Sequence, residues 1–221
     1  MTPFDPGIFT VKTPKPLLVL LLLDVSSSMS GDMDTLNAAV RDMLESFAEE
    51  EQMETLIKVA VITFSSNAQV LHEFTDASIL KQNWHDLSAG GTTNLAEALR
   101  MAKEMMEDKT RTPSRAYRPT VILISDGEPY PDNGWKVAMQ DFVNNGRSSK
   151  CDRMSMAIGS WADEDMLKSF LINTEHELQY AHDAAGIKKF FRFVTMSTLM
   201  RTRSQNPNII PSLVSIDTDD D

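Results

Sequence analysis

Short apolar runs that end at polar clusters dominate the pattern of this chain. Residues 17–23 are an unbroken aliphatic run, LLVLLLL, and residues 24–28, DVSSS, follow it directly. A run this short and this apolar is typical of a strand buried on both faces, as in the middle of a parallel sheet. Residues 57–64 and 120–125 have a similar character, and the second of these runs ends at Asp126. The pattern predicts central strands with polar loops at their carboxyl ends.

Apolar residues at helical spacing predict helices between these strands. Two stripes are clear, from Met33 to Phe47 and from Leu95 to Met106. Further elements are predicted as helices at 137–143, 163–171 and 185–199, strands at 153–158 and 178–181, and an edge strand at 69–74 that pairs antiparallel with 57–64. This alternation predicts an α/β fold: a doubly wound, mostly parallel sheet with one antiparallel edge strand and helices on both faces.

The length of 221 residues and the placement of these elements predict one domain. We expect it to span residues 17–200, after an N-terminal extension at 1–16 and before a mobile acidic tail at 201–221. The tail carries prolines and ends in DTDDD, which is typical of segments that form no core.

Charge and cysteine content narrow the functional classes. The chain has 32 acidic and 21 basic residues, a net charge of −11, which argues against nucleic acid and favours cations or basic protein surfaces as partners. Its one cysteine, Cys151, excludes an intrachain disulfide and a Cys-rich zinc site, so we expect it to be a small buried residue.

Residues 17–23 are far fewer than the ~20 that span a bilayer, and residues 1–16 have no basic signal-peptide region. We expect a cytoplasmic protein that does not enter a membrane.

Three polar loops follow or lie near the predicted strand ends, where ligands of open α/β sheets bind. The first offers a carboxylate and two hydroxyls at alternate positions, the second a threonine beside Gly90-Gly91, and the third a carboxylate. Carboxylate and neutral oxygens suit Mg²⁺, which keeps several waters in its shell. The candidate ligands are Asp24, Ser26, Ser28, Thr92 (or its neighbour Thr93) and Asp126. As simpler alternatives, the serines would cap the following helix, and Asp126 would begin a turn.

These motifs also resemble a known family. Asp-x-Ser-x-Ser at 24–28, a threonine after Gly90-Gly91 and the Ser-Asp-Gly at 125–127, in this order, are similar to the metal-ion-dependent adhesion site of von Willebrand factor A domains. Within that superfamily, the chain resembles the TerY/YegL-like proteins associated with tellurium resistance and stress. The resemblance runs from Leu17 to Leu199. It implies bound Mg²⁺ (or Mn²⁺) with Ser26, Ser28 and Thr92 as direct ligands, and with Asp24 and Asp126 bound directly or through water.

The resemblance further implies a non-enzymatic adaptor. A partner protein would offer Asp or Glu to the metal, in a bacterial stress-response or phospho-signalling complex with a protein kinase and a PP2C-type phosphatase. One alternative is a metal-independent scaffold with a vestigial site. A Mg²⁺-dependent phosphohydrolase with Asp24 as nucleophile is disfavoured, because Ser26 stands where such chemistry usually needs a second carboxylate. A serine hydrolase is also disfavoured, because all four histidines fall outside the three loops.

Overall fold

One mixed sheet organises the part of the chain that the structure describes. The structure is a computed structural model, and it describes residues 15–51, 56–127, 129, 134–204, 206 and 208. Within these residues, the strand order is β3-β2-β1-β4-β5-β6. The strands are β1 (Leu17–Asp24), β2 (Ile57–Phe64), β3 (Ala68–Asp76), β4 (Thr120–Ser125), β5 (Asp152–Ile158) and β6 (Gln179–Ala181).

The pairing confirms the predicted doubly wound fold. β1 lies between β2 and β4 and is parallel to both, and β5 and β6 continue the parallel order. β3 lies at the edge and pairs antiparallel with β2. Because β1 and β4 are adjacent and parallel, the loops that follow them leave the sheet at the same edge.

Helices cover both faces of the sheet. They are α1 (Met33–Glu51), α2 (Ala77–Asn83), α3 (Leu95–Glu107), α4 (Trp135–Asn144), α5 (Glu164–Phe170) and α6 (Ala184–Arg203). Every residue of β1 is buried, and its side chains alternate between two cores. Leu21 and Leu23 pack with α1, α2 and α6, whereas Leu20 and Leu22 pack with α3, α4 and α5. Burial on both faces explains why this strand is apolar without alternation.

The structure differs from the sequence-based expectation in two places. Helix α2 was not predicted, because its seven residues bury only Ala77 and Leu80 and give no periodic stripe. Helix α6 ends at Arg203, four residues beyond the predicted helix end at residue 199. The reason is Arg201, which is buried and donates hydrogen bonds to Thr120 Oγ1 and to the Arg118 carbonyl, both at 2.6 Å.

Other expectations concern single residues and the termini. Cys151 is buried as expected, and burial raises the pKa of its thiol to about 12. Within the described parts of the chain, no helix has the length and apolar character to cross a membrane. Nearly all of the predicted N-terminal extension (residues 1–14) and most of the predicted tail (residues 205, 207 and 209–221) lie outside the described residues.

Candidate metal-ion site

Asp24, the last residue of β1, lies at the buried end of the candidate site. Its side chain is fully buried. The Ser26 backbone N–H donates to Asp24 Oδ1 at 2.8 Å, and the Ser125 hydroxyl donates to Asp24 Oδ2 at 2.6 Å. The parallel register places Leu23 opposite Ile124, so Asp24 and Ser125 follow on neighbouring strands. Two hydrogen bonds therefore fix this carboxylate at the carboxyl edge of the sheet.

A line of hydroxyls leads from this buried position to the surface. Ser26 Oγ and Ser28 Oγ are 3.0 Å apart, and Ser28 Oγ donates to Asp126 Oδ1 at 2.9 Å. Ser26 is buried, whereas Ser28 is exposed and Asp126 is partly exposed. Ser26 precedes a 3₁₀ turn at Ser27–Gly31 but makes no side-chain capping bond there. The capping alternative is therefore not observed for Ser26.

The second loop lies directly against the first. The Gly90 N–H donates to the Val25 carbonyl at 2.8 Å, and the Ser27 N–H donates to the Gly91 carbonyl at 3.0 Å. Gly91 has a φ of +84°, and a Cβ there would lie 2.5 Å from Ser66 Oγ. Both the backbone conformation and the close approach therefore require glycine.

Thr92 lies on this second loop, beside the hydroxyls of the first. Its side chain is exposed, whereas that of Thr93 is 8% exposed, which favours Thr92 as the ligand. In the described residues, the Thr92 hydroxyl is 3.5 Å from Ser66 Oγ, and its N–H donates to the same oxygen at 3.1 Å. The structure thus brings Asp24, Ser26, Ser28 and Asp126 into one network and places Thr92 on the adjoining loop.

The electrostatics of this network favour a bound cation. Burial raises the pKa of Asp24 to about 6, and the nearby Asp126 adds to the rise although the hydrogen bonds to Asp24 oppose it. Burial also raises the pKa of Asp126 above its usual value. Among the ion pairs of the described residues, none involves either carboxylate. A buried carboxylate without a positive partner is costly, and a divalent ion would supply that partner.

The donor set is consistent with Mg²⁺ or Mn²⁺. It consists of two carboxylates and several hydroxyls, which are hard oxygen ligands. Over the described ranges, no cluster of three or more His, Cys, Asp or Glu side chains is arranged to hold a metal. The residues present therefore fit the ion.

Sequence reasoning gave no role to three residues at this edge, although Ser125 belongs to the quoted Ser-Asp-Gly motif. The Ser125 hydroxyl donates a hydrogen bond to the Asp24 carboxylate, and Ser66 Oγ accepts one from the Thr92 N–H. Trp161 follows the end of β5 by three residues, at the carboxyl edge of the sheet, and its side chain is 88% exposed. A serine-rich turn after β2 and a tryptophan just past a strand end were the available signals. Neither identifies its neighbours without the strand order.

Among the described residues, no hydrogen bond joins a histidine to this network. Among the described residues, His176 pairs with a carboxylate at the opposite edge of the sheet, where its Nε2 is 3.0 Å from Asp152 Oδ1. Asp152 is the first residue of β5, whereas the candidate site follows the last residues of β1 and β4. Within the described residues, no serine of the site forms a hydrogen bond with a histidine, as the serine-hydrolase alternative would need.

The fold and the three loops define a doubly wound α/β domain with a polar binding edge. Residues 19–128 match the family model of the von Willebrand factor type A domain. The match and the fold together support a von Willebrand factor type A domain over these residues. Domains of this class are typically protein-interaction modules. A comparison of the sequence with curated proteins finds no match.

Solved structures support the same fold. A von Willebrand factor type A protein from Catenulispora acidiphila matches 84% of this chain and 43% of its own at 17% identity, with a TM-score of 0.67. The pilus adhesin SpaC from Lactobacillus rhamnosus GG matches 85% and 30% at 14% identity, with a TM-score of 0.68. Proximal thread matrix protein 1 from the mussel byssus, described with a zinc-occupied MIDAS motif, matches 85% and 48% at 14% identity, with a TM-score of 0.63. The chain thus spans less than half the length of each of these proteins.

Proposed function

We propose that this protein is a non-enzymatic, metal-dependent protein-interaction module. A divalent cation, Mg²⁺ or Mn²⁺, would be held by Ser26, Ser28 and Thr92 directly and by the two aspartates directly or through water. An Asp or Glu side chain of a partner protein would complete the coordination shell. One observation carries the proposal: Asp24 is fully buried at the carboxyl edge of the sheet, and no described residue forms an ion pair with it.

The ligand types explain why a partner carboxylate would bind. Hydroxyl ligands are neutral, so a cation held mainly by hydroxyls keeps much of its positive charge. Mg²⁺ also retains exchangeable waters when a protein supplies only part of its shell. Ser28 and Thr92 are exposed, so this part of the shell faces solvent and a partner can reach it.

Trp161 provides a second contact for the same partner. A tryptophan that is 88% exposed, at the edge where the candidate ligands lie, has the chemistry of an interface anchor. The metal would fix the partner's acidic side chain, and the indole would cover apolar surface beside it. This division of roles predicts that the two contacts can be separated by mutation.

The structure also argues against the phosphohydrolase alternative. A nucleophilic aspartate needs a free oxygen that faces the substrate. Asp24 is fully buried, and each of its oxygens accepts a hydrogen bond, from Ser26 and Ser125 respectively. We therefore assign Asp24 to holding and orienting the site.

The cellular setting of the proposal derives from the resemblance to TerY/YegL-like proteins. We propose a cytoplasmic adaptor in a bacterial stress-response complex, with a protein kinase and a PP2C-type phosphatase as the first partners to examine. The acidic net charge of −11 agrees with a protein that attracts cations and basic surfaces.

The test combines metal binding with partner capture. Calorimetric titration with Mg²⁺ and Mn²⁺ should show one site in the wild type and none in Asp24→Ala, whereas Asp42→Ala, an exposed change on α1, should bind normally. Partners captured from the native host should be lost in EDTA and in Asp24→Ala. Trp161→Ala should weaken capture without changing metal affinity. Partners that survive both EDTA and Asp24→Ala would instead support the metal-independent scaffold.

A further inference from the structure

A second candidate site lies at the opposite edge of the sheet. The loops that precede β4 and β5, residues 112–119 and 147–151, enclose an open cavity of about 650 Å³. These loops lie at the amino ends of two adjacent parallel strands, whereas the candidate metal site lies at the carboxyl ends. Asn208, which follows α6, completes the lining. The cavity is therefore separate from the metal site.

The lining of this cavity is basic. It includes Arg118, Arg147 and Lys150 and no acidic residue. Arg147 Nη2 donates to the Thr112 carbonyl at 2.6 Å, but its Nη1 is buried and has no hydrogen-bond partner. Arg118 and Lys150 are exposed, and none of the three forms an ion pair among the described residues. Three unneutralised cations around one cavity are notable in a chain with a net charge of −11.

The charged residues behind the lining have partners of their own. Arg153 is fully buried, and its guanidinium donates to backbone carbonyls, including that of Phe170 at 2.8 Å. Asp152 lies 3.8 Å from the Arg201 guanidinium and 3.0 Å from His176, so its charge is directed inward. Glu107 on α3 accepts the Arg147 backbone N–H at 2.7 Å and so stabilises the loop. The cavity therefore presents a positive field that suits an anion.

An acidic segment of the same chain begins at the rim of this cavity. Asn208 lines it, and Asn208 Oδ1 accepts the Arg118 N–H at 3.0 Å. The sequence from 209 to 221 contains four aspartates, at 217, 219, 220 and 221, and no lysine or arginine. The residues from 208 to 217 reach up to about 30 Å when extended, which is ample for a return to the cavity.

We propose that the aspartates of residues 217–221 bind in this cavity of their own chain, against Arg118, Arg147 and Lys150. Charge complementarity and the exit of the segment at the cavity rim carry the proposal. It does not depend on the metal site or on the proposed function. In this arrangement the segment competes with any other acidic or phosphorylated ligand for the same cations.

Zero-length carbodiimide coupling of the 221-residue chain tests this contact. The reagent joins an amine and a carboxylate only when they touch, so mass spectrometry should find Lys150 linked to residues 217–221. Lys136, exposed on α4 and outside the lining, is the matched control lysine and should show little linkage. Linking should fall severalfold at 1 M salt, where the Debye length is about 3 Å. Equal linkage at both lysines would overturn the proposal.

Two further experiments identify what occupies the cavity. In a mixture of ¹⁵N-labelled and unlabelled protein, linking within one chain should give no link that joins a labelled peptide to an unlabelled one. Such mixed links would instead show a second copy as the occupant. Arg118→Glu, an exposed change that leaves the Lys150 amine available, should reduce the link severalfold by repulsion. An unchanged link in Arg118→Glu would contradict the proposed contact. Inorganic phosphate should compete with the link, as expected for an anion site.

Discussion

Replacing Asp24 by asparagine should stabilise the metal-free protein. Burial raises the pKa of this carboxyl from 3.8 to about 6, so at neutral pH the folded protein holds an ionised group that its surroundings disfavour. A rise of about two pKa units corresponds to roughly 3 kcal/mol of folding free energy at pH 7. Asparagine has nearly the same shape, can accept from the Ser26 N–H and can donate to Ser125 Oγ. We expect Asp24→Asn to be about 1–3 kcal/mol more stable than the wild type in EDTA.

The stability difference between Asp24→Asn and the wild type should depend on pH in a defined direction. Because the folded-state pKa of Asp24 is raised, the folded protein binds more protons than the unfolded chain between pH 3.8 and about 6. The contribution of this group to wild-type stability therefore falls as pH rises through that window, and the advantage of Asp24→Asn should grow over the same range. Urea unfolding of both proteins in EDTA, at several pH values, measures this difference. Asp42→Asn, exposed on α1, is the control and should show no such trend.

Metal should reverse the order of stability. A ligand at 100 times its Kd stabilises the folded state by about 2.7 kcal/mol, and for a chain of this size that corresponds to roughly 5–11 °C in Tm. The wild type should gain this in Mg²⁺, whereas Asp24→Asn should gain little. A metal-free Asp24→Asn that is less stable than the wild type, with no change between pH 4 and pH 7, would refute the argument from desolvation.

Three other substitutions test separate parts of the structure. Ser28→Ala removes an exposed hydroxyl and should weaken Mg²⁺ binding by calorimetry, while unfolding free energy changes by about 0.5 kcal/mol or less. Gly91→Ala should cost about 1–3 kcal/mol in urea unfolding, because its positive φ is strained and its Cβ would contact Ser66. Arg201→Met should cost about 3–5 kcal/mol, because it leaves the buried Asp152 without its guanidinium partner. A decrease in unfolding free energy below 1 kcal/mol for Arg201→Met would contradict this role of Arg201 at the end of α6.

The strands were the most predictable part of the fold. The predicted bounds of β2 and β4 agree with the structure. A strand that is buried on both faces is apolar along its whole length, so the ends of the apolar run in the sequence are the ends of the strand. Helix α2 gives no such signal, because only two of its seven residues are buried and two positions do not define a helical repeat of apolar residues. The end of α6 was missed for another reason. Arg201 reads as a surface residue in the sequence, and only the position of Thr120 and Arg118 shows why it is buried.

The residues of the candidate site also fall into two groups, those predictable from the sequence and those that only the structure shows. Asp24, Ser26, Ser28 and Asp126 were predictable, because each lies at or just after the end of an apolar strand and such ends converge at one edge. Other neighbours depend on register and strand order. Ser125 reaches Asp24 because Leu23 and Ile124 are paired, and Trp161 joins the edge because β5 lies beside β4. A single sequence contains neither fact.

The two candidate sites lie at opposite ends of β4 and carry opposite charge. Arg118, two residues before this strand, lines a basic cavity, and Asp126, directly after it, belongs to an acidic network. The net charge of −11 hides this separation, because it sums a cation site, an anion site and the acidic segment proposed to fill the second. The two sites should therefore respond to different reagents. Chelation should empty the first without affecting the Lys150 link, whereas neutralising the aspartates at 217–221 should free the second without affecting Mg²⁺ affinity.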